Sequence, residues 1–303
     1  MNDAPLYQGY DQAGLDAQYN NRARVPEHAD IHAGYQAQAD AGLADFDTRL
    51  DVSYGPSAEE TLDIYLPKPA PPAPAKEGAP TGGMPINVFL HGGYWFSRHK
   101  NDYRFLARGM IPSGAALIVV NYALVPSVDL DEVVRQCRAA IAWTYRNAVD
   151  FGGDPNRFFV SGHSAGGHLT AMMMSTVWPA LGDDLPGNII KGGCALSGIF
   201  DLTPIPLSYM QETLQFTPDQ VARNSPVTLS PSTKAPLIVG VGGDESEEFI
   251  RQSQVFAEHW GAPGNIEGWM MTLEGINHFT ILGEYADPKS VLTQAVLQQM
   301  GLG

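Results

Sequence analysis

Phe158-Phe159-Val160-Ser161-Gly162-His163-Ser164-Ala165-Gly166-Gly167-His168-Leu169 is the stretch that decides the fold. A short apolar run ends in a serine flanked by glycines, and a helical pattern follows from Ala165 to Val177. A serine placed between a buried strand and a helix, with small residues two before and two after it, has the pattern of a nucleophile elbow. The turn is too tight for larger neighbours, the hydroxyl projects from it, and the helix N-terminus lies beneath. A G-x-S-x-G string alone recurs by chance. Its position between strand and helix makes Ser164 the candidate nucleophile.

Working outward, the same rhythm of strand, loop and helix repeats. Ile86 to Leu90, Ala115 to Val120, Cys194 to Leu196, Leu237 to Val241 and Trp269 to Leu273 read as strands. Helices are expected near Asp102 to Met110, over Leu130 to Ala148, over Glu247 to Trp260 and near Ser290 to Met300. Residues 130, 133, 134, 137, 141, 144, 145 and 148, apolar except for Thr144, share one helix face. Continuous apolar strands separated by helices predict an α/β fold: a mostly parallel sheet with helices on both faces. Upstream, Leu50 to Tyr54 and Thr61 to Leu66 read as half-exposed strands.

Two further strand ends carry chemistry. His91-Gly92-Gly93-Tyr94-Trp95 follows the strand ending at Leu90. Attack on a carbonyl places negative charge on its oxygen, which needs N–H donors fixed in advance. The candidate donors of this oxyanion hole are the backbone N–H groups of Gly92, Gly93 and Ala165, with His91 holding the loop. Gly275-Ile276-Asn277-His278-Phe279 follows the last strand. His278 is the histidine beyond Ser164 that lies in a loop at that sheet edge, since His168 and His259 fall within helical patterns. The acid that orients the histidine should end the penultimate strand, at Asp244 or Glu245. A substrate pocket is expected from Tyr94, Trp95 and Phe96 after the oxyanion loop, His163 beside the serine, and Tyr209 and Phe216 in a cap. For Trp95, core packing is the competing reading.

The remaining segments are assigned around this centre. The chain of 303 residues reads as a single domain over 1–303. Residues 1–48 are an N-terminal helical or irregular extension without visible chemistry. Residues 67–85 are a Pro-rich surface loop, and about 202–235 a helical cap segment over the sheet edge, with Thr217-Pro218-Asp219-Gln220 as a helix start. With 18 Lys+Arg against 33 Asp+Glu the net charge is −15, which repels nucleic-acid phosphate and anionic lipid, so neither is an expected partner. Cys137 and Cys194 lie in apolar runs and read as buried thiols. No signal-peptide pattern and no bilayer-length apolar run is visible, so a cytoplasmic location is expected. No zinc spacing, P-loop or dinucleotide fingerprint occurs, so neither metal nor cofactor is expected. A small-molecule amide or ester is the expected partner, and a homodimer is an allowed assembly.

The His91–Trp95 motif, Gly162-His163-Ser164-Ala165-Gly166-Gly167-His168-Leu169 and the terminal His278-Phe279 together resemble the kynurenine formamidase (arylformamidase)-like branch of the α/β-hydrolases. Leu62-Asp63-Ile64-Tyr65 and Ser197-Gly198-Ile199-Phe200-Asp201-Leu202 fit the same group, and the resemblance spans roughly residues 48–285. It implies an α/β-hydrolase fold, a Ser-His-acid triad and no metal. Members of that branch hydrolyse N-formylkynurenine, some also aryl esters. It also favours Glu245 over Asp244 as the acid, because related sequences read Gly-Gly-x-acid-Ser-x-x-Phe, here anchored on Ser246 and Phe249. The expected function is therefore an amidase or formamidase acting through an acyl-enzyme. The alternatives are a carboxylesterase or thioesterase of the hormone-sensitive-lipase-like type, and a non-catalytic binder, which would normally have lost a triad member.

Overall fold

A computed structural model describes residues 5–68, 82–261 and 268–303. Eight strands form one sheet: β1 (Phe46–Ser53), β2 (Thr61–Pro67), β3 (Met84–Leu90), β4 (Ala116–Val120), β5 (Gly153–His163), β6 (Gly192–Leu196), β7 (Leu237–Gly242) and β8 (Gly268–Leu273). Their spatial order is β1-β2-β4-β3-β5-β6-β7-β8. β2 pairs antiparallel with β1 and β4, and every pairing from β4 to β8 is parallel. The parallel strands therefore end at one edge. The strand order reverses between β3 and β5, and at such a switch point the two strand ends leave a crevice. The Gly92–Gly93 loop follows β3 and the serine turn follows β5.

The helices are α1 (Gln12–Tyr19), α2 (Asn21–Arg24), α3 (His28–Gly42), α4 (Ala107–Met110), α5 (Leu130–Asn147), α6 (Ala165–Met174), α7 (Gln211–Leu214), α8 (Pro218–Arg223), α9 (Glu247–Gly261), α10 (Ile281–Ala286) and α11 (Val291–Gln299). The period of two along each strand divides the core in two. Ile86, Val88 and Leu90 face α5, α6 and α9 residues such as Ile141, Leu169 and Trp260. Phe89, Leu117 and Val119 face Tyr35, Met110, Tyr285 and Leu297 from α3, α4, α10 and α11. Cys137 and Cys194 are free and buried in opposite halves, and burial holds both thiols above their ordinary pKa.

Helix starts follow their local chemistry. Asp129 caps α5 by accepting from Glu132 N at 2.9 Å. Thr217 and Gln220 form a capping box at α8 with Pro218 in its first turn, as that tetrapeptide predicts. The expected helix near Asp102–Met110 opens instead as a 3-10 turn over Lys100–Leu106 before α4. There Lys100, fully buried, reaches Asp63 on β2 and Asp51 on β1, each at 2.6 Å. The Leu62–Tyr65 motif thus carries a buried charge pair, and Tyr65 Oη also donates to Asp63 at 3.0 Å. Of the expected Pro-rich loop, residues 69–81 lie outside the described residues. Among the described residues no helix is long and apolar enough to cross a membrane.

Candidate active site

Ser164 sits between β5 and α6 with φ 58° and ψ −121°, a backbone state that costs a non-glycine residue on the order of 1–3 kcal/mol. The turn survives because the residues two before and two after Ser164 have no Cβ. One added to Gly162 would lie 2.2 Å from Gly166 O, and one added to Gly166 would lie 1.9 Å from Leu90 O on β3. Ser164 N donates to Leu196 O of β6 at 2.8 Å, which ties the turn to the next strand.

Three elements converge on the hydroxyl. His278, in the loop after β8, places Nε2 3.1 Å from Ser164 Oγ and Nδ1 2.6 Å from Glu245 Oε2. With Nδ1–H donating to the carboxylate, Nε2 carries the free lone pair and accepts the serine O–H. Glu245, in the turn after β7, is buried, and its Oε1 accepts from Ser197 Oγ at 2.5 Å and Gly242 N at 2.8 Å. Asp244 faces solvent. At the start of α9 the side-chain acceptors are Ser246 Oγ, from Phe249 N at 3.4 Å, and Gln18 Oε1, from Glu248 N at 3.1 Å, and not Asp244.

The loop after β3, which carries the candidate oxyanion donors, is bent sharply. Gly93, Tyr94, Trp95 and Arg98 all have positive φ, and at Gly93 (φ 115°) a Cβ would meet Ser97 O at 2.1 Å. His91 Nδ1 donates to Gly92 O at 2.8 Å, and Tyr122 Oη donates to His91 O at 2.6 Å. The first bond orients the Gly92–Gly93 peptide, so the Gly93 N–H points the opposite way. No side chain caps α6, so the Ala165 N–H lies among the unpaired donors of its first turn.

The crevice over Ser164 is a cavity of about 340 Å³. Tyr94, Phe96, His163 and Tyr209 line it together with Ser164 and His278, as the sequence suggests. Trp95 and Phe216 do not, and this corrects the expected pocket. The positive φ at Tyr94 and Trp95 turns the indole inward, where Nε1 donates to His168 Nδ1 at 3.2 Å and the ring meets Phe216 edge-on at 5.7 Å. Both rings are buried, so Trp95 takes the core-packing alternative. His168 donates its other nitrogen to Asn224 O at 2.7 Å. Burial lowers the pKa of His168 and of His91 to about 4.

His163 has a second contact that sequence reading does not supply. Its Nε2–H donates to His278 O at 2.8 Å, and the two rings lie 4.6 Å apart. Burial first, and then the neighbouring His278, push the His163 pKa well below its ordinary value, so the ring is neutral.

The N-terminal extension supplies one wall of the cavity, through Tyr19, Asn20, Asn21, Arg22 and His32. Tyr94 Oη donates to Tyr19 O at 2.5 Å and accepts from Asn21 Nδ2 at 3.2 Å, joining this wall to the oxyanion loop. No periodicity or motif in residues 1–48 marks these residues. Their role appears only when α1 and α2 dock beside the loop. Among the described residues, no cluster of three or more His, Cys, Asp or Glu side chains could hold a metal ion.

The family model BD-FAE matches residues 62–189. Kynurenine formamidase of Salmo salar is 33% identical over 268 residues, covering 86% of this chain and 84% of its own. Esterase LipC of Mycobacterium tuberculosis is 27% identical over 248 residues, covering 76% of this chain and 59% of its own. A crystal structure from Silicibacter sp. TM1040, provisionally described as that of a thioesterase, superimposes with TM-score 0.77 at 29% identity, covering 92% of this chain and 97% of its own.

Proposed function

The chain belongs to the kynurenine formamidase family of α/β-hydrolases and is a hydrolase, and we propose that it cleaves a small amide or formamide through an acyl-enzyme on Ser164. The observation that carries this reading is the chain of contacts Glu245–His278–Ser164, at 2.6 and 3.1 Å, whose last two members line the cavity.

In this reading His278 Nε2 takes the Ser164 proton as Oγ attacks the carbonyl carbon. The N–H groups of Gly92, Gly93 and Ala165 receive the developing oxyanion. The C–N bond breaks as His278 returns the proton to the leaving nitrogen. Water, deprotonated by His278, then attacks the acyl-serine. The carboxylic acid leaves, formate when the acyl group is formyl, and the serine is regenerated. Glu245 stays ionised and steadies the imidazolium in both steps. No metal or cofactor takes part in this scheme.

Ser164→Ala should fold normally and lose several orders of magnitude in kcat on N-formylkynurenine. Turnover near the unsubstituted rate would overturn the assignment. The relatives named as esterases favour a second reading, in which the same site prefers esters. Comparing kcat/KM for N-formylkynurenine, aryl amides and acyl esters separates the two.

A further inference from the structure

The candidate oxyanion donors stand on two separate elements. Gly92 and Gly93 belong to the loop after β3, and Ala165 opens α6. Donors preorganised for one oxygen must keep a fixed spacing, so the loop has to be held against the helix. The loop does not hold itself. Gly93, Tyr94, Trp95 and Arg98 have positive φ, a state that a non-glycine residue keeps only where its surroundings over-determine it. Gly93 O accepts from Phe96 N, Ser97 N and Ser97 Oγ, bonds that brace the loop internally and do not fix its place. Tyr94 Oη ties it to Tyr19 O, and Val125 N donates to Trp95 O at 2.9 Å. Among the described residues, only the hydrogen bond from Trp95 Nε1 to His168 Nδ1, at 3.2 Å, runs from residues 92–98 to α6. We propose that His168 is a positioning residue for the hydrolysis: through the Trp95 indole it sets the Gly92–Gly93 loop against the Ala165 end of α6.

His168 lies one turn into α6, where its own N–H donates to Ser164 O at 3.1 Å, so its place relative to the serine is fixed. An indole N–H only donates, so Trp95 needs an acceptor. Nδ1 accepts when the ring proton sits on Nε2, and Asn224 O, 2.7 Å from Nε2, receives that proton. Asn224, just after α8, is held in turn. Its Nδ2 donates to Asp131 Oδ1 on α5 at 2.8 Å, and Arg223 pairs with the same carboxylate at 2.6 Å. Trp95 and His168 are both fully buried and meet edge to face, their centroids 5.0 Å apart at 88°, which shields the bond from solvent. Burial also keeps the imidazole neutral at neutral pH, with its pKa lowered to about 4, so the Nδ1 lone pair stays available. The position thus requires an acceptor toward the loop and a donor toward Asn224. A glutamine amide carries both, and an aliphatic side chain carries neither.

This inference rests on the proposed role of Ser164, and its test keeps the two apart. Steady-state kinetics on N-formylkynurenine and 4-nitrophenyl acetate, with urea unfolding alongside, compares His168→Leu, His168→Gln and Trp95→Phe. His168→Leu should lower kcat by about tenfold to fiftyfold, below the roughly 10²–10³-fold that losing a whole donor costs. KM should change less than about threefold, because the donors act on charge that develops in the transition state. His168→Gln should recover most of that kcat. Trp95→Phe, which keeps an aromatic ring without the N–H, should lower kcat by a similar factor. Adding His168→Leu to it should cost little more, since both replacements break one bond. Unchanged kcat in His168→Leu and Trp95→Phe, whatever their stability, would overturn the proposal and leave the hydrolase reading standing. So would a kcat for His168→Gln no better than for His168→Leu. Should His168→Leu not fold, Trp95→Phe decides by the same criterion. Amide hydrogen exchange over residues 92–98 reads the loop without turnover, and should quicken in His168→Leu but not in His168→Gln. If Ser164→Ala keeps near-full turnover, the Ser164 reading falls and this exchange decides the anchoring by itself. Faster exchange in His168→Leu would then support it, and unchanged exchange would overturn it.

Discussion

Glu245 Oε2 lies 2.6 Å from His278 Nδ1, while the adjacent carboxylate of Asp244 faces solvent. Two neighbours in one turn thus have opposite surroundings. Glu245 meets the donors Ser197 Oγ and Gly242 N as well as the imidazole. Replacing Glu245 with Gln should cost roughly 10⁴-fold in kcat, by analogy with amidation of a buried triad carboxylate. Asp244→Asn should change kcat less than about threefold, as expected for a solvated side chain away from the reacting atoms. Steady-state kinetics on the two variants decides it, and a reversed ranking would reject Glu245.

His163 is expected to position His278 through its 2.8 Å bond to the His278 carbonyl. His163→Ala would leave that buried acceptor unpaired, a loss of about 1–3 kcal/mol of stability. It should lower kcat more than it raises KM, because the His278 imidazole beside Ser164, the proposed base, would lose its anchor. His163→Gln retains an N–H donor and should recover part of kcat. Unchanged kcat in His163→Ala would show that the bond serves folding alone.

Lys100 is buried against Asp63, itself fully buried, and against Asp51, which is largely exposed. Lys100→Met should destabilise the fold by about 3–5 kcal/mol, since it leaves a buried carboxylate short of its cation. Arg104, 3.4 Å from Asp63, offers only partial compensation. Urea unfolding measures the loss. Adding Asp63→Asn to Lys100→Met should restore part of it.

Stability should depend on pH through His91 and His168. Both rings are neutral in the folded chain, with pKa lowered to about 4 by burial. Unfolded, they ionise near pH 6.5, so between about pH 6.5 and 4 the unfolded state binds more protons. Their contribution is therefore fully present above about pH 6.5 and is lost as pH falls toward 4, on the order of 3 kcal/mol for each ring. Urea midpoints at pH 7.5, 5.5 and 4.5 should fall in that order. His168→Gln should flatten the slope, and an unchanged slope would refute its part.

The sequence alone determined the features that are local to strand ends. A parallel sheet brings the C-terminal ends of its strands to one edge, so Gly92 and Gly93 after β3, Ser164 after β5 and His278 after β8 meet wherever the strand and helix periods are read correctly. The tetrapeptide Thr217–Gln220 and the apolar face of α5 are legible for the same reason, because their determinants lie within a few residues of one another. Tertiary structure alone decided what depends on backbone direction and distant contacts. Positive φ at Tyr94 and Trp95 sends one ring to the cavity and the other to the core. The docking of α1 and α2 brings Tyr19 and Asn21 beside a loop more than 70 residues away in the chain. From the residues themselves, Asp244 and Glu245 are equivalent acids in one turn. They differ because Ser197 and Gly242, brought near by strand pairing, offer their donors to only one of them.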